Sequence, residues 1–277
     1  MATARTVLIT GCSTGIGRAT ATRLVERGHR VIATARRLDA IADLEGCQLL
    51  ALDVTSESSI ADAVAAVGTS VDVLVNNAGY SQSGAVEEVD LDDLRRQFET
   101  NVFGLVRLTQ LLLPAMRDRQ WGRIVNMSSM GGRMTLPGGG AYHATKYALE
   151  ALSDALRYEV RPFGIDVVII EPGPVRTNFG TTANAALPST TGVYAAFNAG
   201  VAALVTKTYA KRPRGSTRPE AIADVVAHAV EARYPKTRYM IGATGRLLVA
   251  AHAALPDRWF DRVIATQYPR PQSPAST

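Results

Sequence analysis

Residues 6–17 read TVLITGCSTGIG. Five β-branched or aliphatic residues run straight into a glycine loop, TGCSTGIG at 10–17, and the loop opens a segment of helix length. A strand that turns through glycines into a helix is the first unit of a doubly wound α/β sheet. Gly11 permits a tight turn off the strand. Gly15 and Gly17 let backbone and helix come close to a bound pyrophosphate, which the free N–H groups and dipole of the new helix then face. A glycine-rich turn can also hold nothing; the placement between first strand and first helix is what points to a nucleotide. No Gly-Lys-Ser/Thr follows, so this is not the phosphate loop of an ATP-binding protein.

The same alternation continues outward from this unit. Strands are expected at TVLIT (6–10), RVIATA (30–35), QLLALDV (48–54), VDVLV (71–75), GRIVNMS (122–128), DVVIIE (166–171) and RYMIG (238–242), with amphipathic segments of helix length between them. Continuous apolar strands alternating with helices predict a seven-stranded parallel sheet covered on both faces, a Rossmann-type doubly wound α/β fold. The rhythm runs without a break or internal repeat, so residues 1–265 read as a single catalytic domain. Residues 266–277, which include YPRPQSPAST from 268 onward, read as a disordered tail. Residues 172–218 interrupt the alternation and read as a long irregular substrate lid, bracketed by Pro172, Gly173 and Pro174 and by Pro213 and Gly215 as hinges. Residues 245–265 form a helix-rich C-terminal extension.

Composition bounds the function. Hydrophobic content of 47% suffices for a sizeable core. Two cysteines, Cys12 and Cys47, fit no disulfide framework or metal spacing, which makes a reducing compartment, the cytoplasm, the expectation. The apolar run in MATARTVLITGC is too short for a signal peptide, and LLVAAHAAL at 247–255 is too short to span a bilayer. The net charge of +5 is spread along the chain. One basic cluster, Lys207, Lys211, Arg212, Arg214 and Arg218, has only Tyr209 for an interleaved aromatic and reads as a solvated loop rather than a nucleic-acid surface. His29, His143, His228 and His252 form no metal-ligand set.

Residues 141–150, AYHATKYALE, place Lys146 one helical turn after Tyr142, so the two share a face. Of thirty basic residues only four are lysine (146, 207, 211 and 236), and the first 206 residues use arginine at every other basic position. Lysine is a compact ammonium whose proton can be relayed, whereas arginine keeps its proton. Tyr142 and Lys146 alone are also compatible with an ordinary helix surface.

TGCSTGIG, NNAG at 76–79, Ser129, and Tyr142 with Lys146 resemble, together and in order over residues 5–242, the short-chain dehydrogenase/reductase family. The resemblance implies a catalytic set of Asn101, Ser129, Tyr142 and Lys146. Tyr142 would exchange a proton with the substrate oxygen, and Ser129 would hold that oxygen, with Ser128 the runner-up. Lys146 would grip the nicotinamide ribose, and Asn101 would hold a water that relays protons to Lys146. A free phenol titrates near 10, and a nearby cation favours its ionised form; Lys146 and an oxidised nicotinamide together are expected to draw Tyr142 downward. His143 points about 100° round the helix from Tyr142, one residue on at 3.6 per turn, and reads as non-catalytic.

The resemblance further implies cofactor contacts from Gly11, Ser13, Thr14, Gly15, Ile16 and Gly17, from Asp53 and Val54, from Asn77, Ala78 and Gly79, and from PGPVRT at 172–177 through Pro172, Gly173, Val175 and Thr177. The second strand ends at Ala35, where an NAD-preferring enzyme carries an acid; Arg36 and Arg37 follow, so NADP(H) is expected over NAD(H). TARR, NNAGY and RYMIG resemble the subgroup of 17β-hydroxysteroid and retinol dehydrogenases, implying a hydrophobic alcohol or ketone such as a steroid, retinoid or lipid-like molecule. A sugar-nucleotide epimerase has the same Tyr and Lys but a different glycine spacing, and a nucleotide-sensing regulator typically lacks part of the catalytic set. GRLLVAAHAALPDRWFDRVI at 245–264 is expected to dock on a partner subunit, as the family is commonly dimeric or tetrameric, or on a membrane surface.

Overall fold

The computed structural model describes residues 3–187, 192–209 and 216–268. Seven parallel strands form one sheet: β1 (Thr6–Ile9), β2 (Arg30–Ala35), β3 (Cys47–Ala51), β4 (Val73–Asn76), β5 (Gly122–Met127), β6 (Ile165–Pro172) and β7 (Arg238–Ile241). Their order is β3-β2-β1-β4-β5-β6-β7. The chain therefore builds outward from β1 to β3, crosses back, and builds the other way from β4. Between β1 and β4 the connections leave in opposite directions, which opens a crevice at the strands' carboxyl ends.

Alternate residues of each strand enter two cores, as the period of two requires. Val7 and Ile9, with Val31 and Ala33, pack under α1 (Gly15–Glu26) and α8 (Pro219–Glu231). Leu8, Ile32, Leu74 and Ile124 pack on the other face against α2 (Glu57–Val67) and α4 (Gly104–Asp118), with Val160 at the end of α5 (Gly140–Val160). α3 (Leu91–Phe98) runs into α4 through a π-helical turn, Glu99–Phe103. The centre of the sheet is covered on both faces, and every residue of β4 and β5 is buried.

Strand limits shift slightly from those read in the sequence. β3 stops at Ala51, where its partner β2 ends at Ala35, so Asp53 and Val54 belong to the loop beyond. The stretch 172–218 is not irregular: it contains α6 (Phe179–Ala185) and α7 (Ala195–Tyr209), with Val175 bridged in parallel to Thr217. Its alanine-rich composition supports helix despite the weak apolar periodicity. Pro213, Gly215 and the basic residues Lys211, Arg212 and Arg214 lie outside the described residues. The C-terminal extension is two helices, α9 (Ala243–Ala254) and α10 (Asp257–Ala265), broken at Leu255–Pro256. Their apolar residues divide. Phe260 and Ile264 pack on Met134 inside the molecule, whereas Leu247 and Trp259 stay exposed. Tyr268, expected in a disordered tail, packs with both small clusters near α7 and α10. Among the described residues no helix is long and apolar enough to cross a membrane.

Arg123, inside β5, fastens the sheet to α8. Its guanidinium is nearly fully buried and donates to the carbonyls of Ala229 (2.7 Å), Val230 (2.9 Å) and Ala232 (2.8 Å), and to Asp166 (2.7 Å). These bonds satisfy carbonyls that a helix end leaves open. Arg123→Met is expected to cost about 2–3 kcal/mol, because it strands buried acceptors. Chemical denaturation with an unchanged m-value checks this; an unshifted midpoint would contradict it.

Candidate functional site

The crevice between β1 and β4 is closed by side-chain bonds to backbone. Thr10 Oγ1 accepts the N–H of both Asn77 and Ala78 at 2.9 Å. Asn77 Nδ2 donates to the carbonyls of Thr10 (2.9 Å) and Gly11 (3.1 Å). These bonds hold the glycine loop against NNAG. Gly11 has φ +74°, and a β-carbon on Gly17 would lie 2.3 Å from the Gly11 carbonyl oxygen, so a side chain at 17 would push the loop off the helix. Thr14, the residue before α1, makes no side-chain cap, which leaves the first amides of the helix open toward the crevice. An open helix start behind a glycine-lined approach fits a dinucleotide pyrophosphate.

This cleft has a volume of about 530 Å³. The structure brings most of the predicted cofactor residues to its wall: Gly11, Ser13, Thr14, Gly15 and Ile16 from the loop; Ala35 and Arg36 from the end of β2; Asp53 and Val54; Asn77, Ala78 and Gly79; and Pro172, Gly173, Val175 and Thr177 after β6. Gly17 packs behind the loop rather than lining the cleft. Arg37 also lies outside the wall, its Nε donating to Asp39 at 3.0 Å. Arg36 is exposed and has no ion pair among the described residues. Thr10 was not singled out in the sequence; a threonine closing a strand before a glycine loop is the signal that could have found it.

Lys146 and Tyr142 project from the first turns of α5, beside the ends of β5 and β6. Lys146 is buried, and its Nζ donates to the Met127 carbonyl at 2.8 Å, 5.7 Å from the Tyr142 ring centroid. Burial lowers its pKa to about 8, against an opposing pull from Glu150 one turn on. Tyr142 departs from the expectation that Lys146 draws it down. Burial pushes the phenol well above its ordinary value, with Tyr209 adding to the rise and the Ser129 hydroxyl bond opposing it. Desolvation of the phenolate is the largest of these causes and outweighs the Ser129 bond.

Ser129 accepts the Gly131 N–H at 3.1 Å and faces Tyr142. Ser128, the runner-up, is buried with its hydroxyl unpartnered among the described residues, tucked behind Gly132. Asn101 lies in the π-helical turn. Its amide donates to the Tyr80 carbonyl (2.9 Å) and Thr145 Oγ1 (3.1 Å), and its Oδ1 accepts the Tyr80 N–H (3.2 Å). Those three bonds engage the side chain in holding the loop after Gly79, where a β-carbon would lie 3.0 Å from Asn101 Oδ1 and 3.9 Å from Lys146 Nζ. Gln97, one turn earlier and not noted in the sequence, grips the same loop at the Gln82 N–H and Tyr80 carbonyl.

A second cavity, also about 530 Å³, lies beyond Tyr142. Its wall is largely apolar: Met130, Leu136, Phe179, Val201, Leu204, Leu248 and Ile264 among others. The two spaces meet at Ser129, Tyr142, Phe179 and Tyr209. Phe179 stands edge-on to Tyr142 with ring centroids 5.3 Å apart, and Tyr209 packs on Phe179 at 5.7 Å. Both lie in the stretch read from sequence as the substrate lid, although neither was assigned a place beside Tyr142 there. His143, the neighbour of Tyr142, points its Nδ1 away at the carbonyls of Gly131 (3.0 Å) and Met134 (2.9 Å), consistent with a role outside proton transfer to the carbonyl.

The family model for short chain dehydrogenases matches residues 5–188. The chain is 38% identical over 266 residues to the uncharacterized oxidoreductase YbbO of Escherichia coli strain K12, covering 94% of each. It is 32% identical over 274 residues to an NADPH-dependent 3-dehydrocapnine reductase of Ornithobacterium rhinotracheale, covering 94% of this chain and 95% of that protein. A short-chain dehydrogenase from Streptomyces avermitilis superposes with a TM-score of 0.82 at 39% identity, covering 95% of this chain and 96% of the other. With the glycine loop, the buried lysine and the tyrosine gathered at one crevice, the chain belongs to the short-chain dehydrogenase/reductase family of oxidoreductases.

Proposed function

We propose that the protein is an NADP(H)-dependent oxidoreductase that interconverts a hydrophobic ketone and its secondary alcohol. The observation that carries this reading is the position of Tyr142 and Ser129 where the glycine-lined cleft and the apolar cavity meet among the described residues. A carbonyl entering from the cavity meets both hydroxyls there. The NADPH dependence in the name of the Ornithobacterium relative supports the cofactor assignment.

When bound, the nicotinamide cofactor supplies or accepts the hydride. The chain's own residues do the rest. Ser129 holds the carbonyl oxygen in place. Tyr142, whose burial keeps the phenol protonated, gives its proton to that oxygen during reduction. Lys146 shares a face of α5 with Tyr142, and its proton is held loosely enough to resupply the phenol. The Asn101 side chain holds the Tyr80 loop and Thr145, and its proposed part in proton transfer is to hold a water that relays protons to Lys146. The apolar wall of the cavity excludes water from the reacting carbon and selects an apolar substrate. Homodimeric or homotetrameric assembly and the movement of 172–218 over the cofactor remain parts of this proposal.

Wild-type protein is expected to oxidise NADPH with an apolar ketone, and Tyr142→Phe to lose at least about a thousand-fold in rate while titrating NADPH nearly as tightly, since only the proton donor is removed. A tenth of the wild-type rate in that variant would remove Tyr142 from the proton-transfer role. Lys146→Arg is expected to lose both rate and cofactor affinity, because the buried pocket at the Met127 carbonyl admits an ammonium and not the wider guanidinium. Equality with wild type in both measurements would contradict this.

Cofactor choice separates the two arginines. Arg36 lines the cleft without an acidic partner, whereas Arg37 is turned to Asp39. Arg36→Ala is expected to weaken NADPH binding about ten- to a hundred-fold, the worth of a charge-assisted hydrogen bond, and Arg37→Ala to weaken it much less. Ala35→Asp with Arg36→Ala should reverse the preference in favour of NADH. Catalytic efficiencies with both cofactors decide it; an unaltered preference in the double variant would sink the assignment.

A further inference from the structure

His143 is buried beside the reacting tyrosine, yet only half of its imidazole is in use. Nδ1 points at two carbonyl oxygens, Gly131 at 3.0 Å and Met134 at 2.9 Å. Both partners only accept, so Nδ1 carries the hydrogen. Burial lowers the pKa of the ring, and the two backbone bonds only partly oppose it, so the imidazole is neutral. Nε2 is then a bare acceptor, and among the described residues it has no hydrogen-bond partner.

The Cδ2–Nε2 edge faces Gly139. A β-carbon on Gly139 would lie 2.6 Å from each of those two atoms. The backbone there has φ −113°, which any residue adopts, so glycine is not needed for conformation. What it provides is room: both Gly139 and His143 line the apolar cavity, and the missing side chain leaves the acceptor edge open to it. Gly131 places the ring near the chemistry, since a β-carbon there would lie 2.7 Å from His143 Nδ1 and 3.4 Å from Ser129 Oγ. An unpaired acceptor in an apolar wall costs free energy unless a ligand satisfies it.

Building on the reductase reading above, we infer that His143 Nε2 accepts a hydrogen bond from the substrate, and that the substrate is an apolar ketone carrying a hydroxyl or ammonium group within a few bonds of its carbonyl. The donor group satisfies this open acceptor in the cavity wall while Ser129 and Tyr142 hold the carbonyl. An apolar ketone without such a donor fills the same space but leaves Nε2 dry and unpaired. His143 is on this account a specificity-determining residue and not a proton carrier.

Three ketones test it: decyl hydroxymethyl ketone, decyl aminomethyl ketone and the methyl ether of the first, each assayed for kcat/KM with NADPH. Wild type is expected to favour the hydroxyl or the amine over the ether by about ten-fold or more, the better of the two identifying the donor. His143→Asn keeps an N–H where Nδ1 stands and removes Nε2; Gly139→Ala keeps the imidazole but sets a methyl against its Cδ2–Nε2 edge, which shifts the ring and closes the approach. Each is expected to bring the ratio close to one. Because the readout is a ratio within one variant, a general loss of rate does not disturb it, and the second variant stands if the first folds poorly. A wild-type ratio near one, or a variant that keeps the wild-type ratio, overturns the inference and leaves the reductase reading intact. NADPH left unoxidised by all three ketones overturns the reductase reading itself.

Discussion

The burial of one ammonium governs the middle of this molecule. Lys146 sits between α5 and the sheet with a single carbonyl, that of Met127, as its hydrogen-bonded partner. Removing a charge from water costs several kcal/mol unless other charges compensate. The compensation comes from Glu150, one turn along α5, and Glu150 needs partners in turn. Arg238 on β7 supplies one at 3.1 Å and also reaches Asp154 at 2.6 Å. Glu171 on β6 joins through Arg238 at 3.5 Å and pairs in addition with Arg133 at 3.2 Å. Burial and the Glu150 charge raise the pKa of Glu171, so the network holds its acids close together at some cost. A helix, two strands and the loop after β5 are thus tied into one electrostatic unit around the lysine.

That unit fixes the end of β5, and the end of β5 sets the geometry of the site. Ser129 leaves the strand directly after the carbonyl that holds Lys146. The loop that follows is anchored by His143 from the same helix that carries Tyr142. Serine, tyrosine and lysine therefore share two elements with little freedom between them. On the other side, Asn101 and Gln97 clamp the Tyr80 loop from the π-helical turn and the helix before it. Gln97 and Asn101 stand four residues apart, on one helical face, so two polar side chains meet one loop.

Much of the fold was legible because its signals are local. Seven apolar runs mark seven strands, and the glycines at 11, 15 and 17 mark the place where backbone approaches backbone. The Lys146 position stood out against an arginine-rich chain. What the sequence did not disclose depends on tertiary environment. The helices α6 and α7 are hidden because alanines and threonines give little amphipathic contrast, and with them the place of Phe179 and Tyr209 beside Tyr142. The direction of the Tyr142 shift is a balance of burial against charge, and burial cannot be read from a motif. Of Arg36 and Arg37 the first is the closer match to the family's position, and the structure separates them further, with Arg36 in the cleft wall and Arg37 paired to Asp39. The C-terminal apolar residues divide in a way the sequence does not show: Phe260 and Ile264 pack inward on Met134, with Ile264 lining the molecule's own cavity, while Leu247 and Trp259 stay exposed.

Phe179 and Tyr209 stand in the wall of both chambers, while Leu136, Val201 and Leu248 touch only the apolar one. The positions open to evolutionary drift are therefore unequal. A change at either shared aromatic alters the fit of two different molecules at once, so each such change has to satisfy two selection pressures. A change at Leu136 or Leu248 reshapes one chamber and leaves the other as it was. The architecture thus separates what must stay constant across relatives from what can diversify, and a new preference can arise by single steps along the apolar wall.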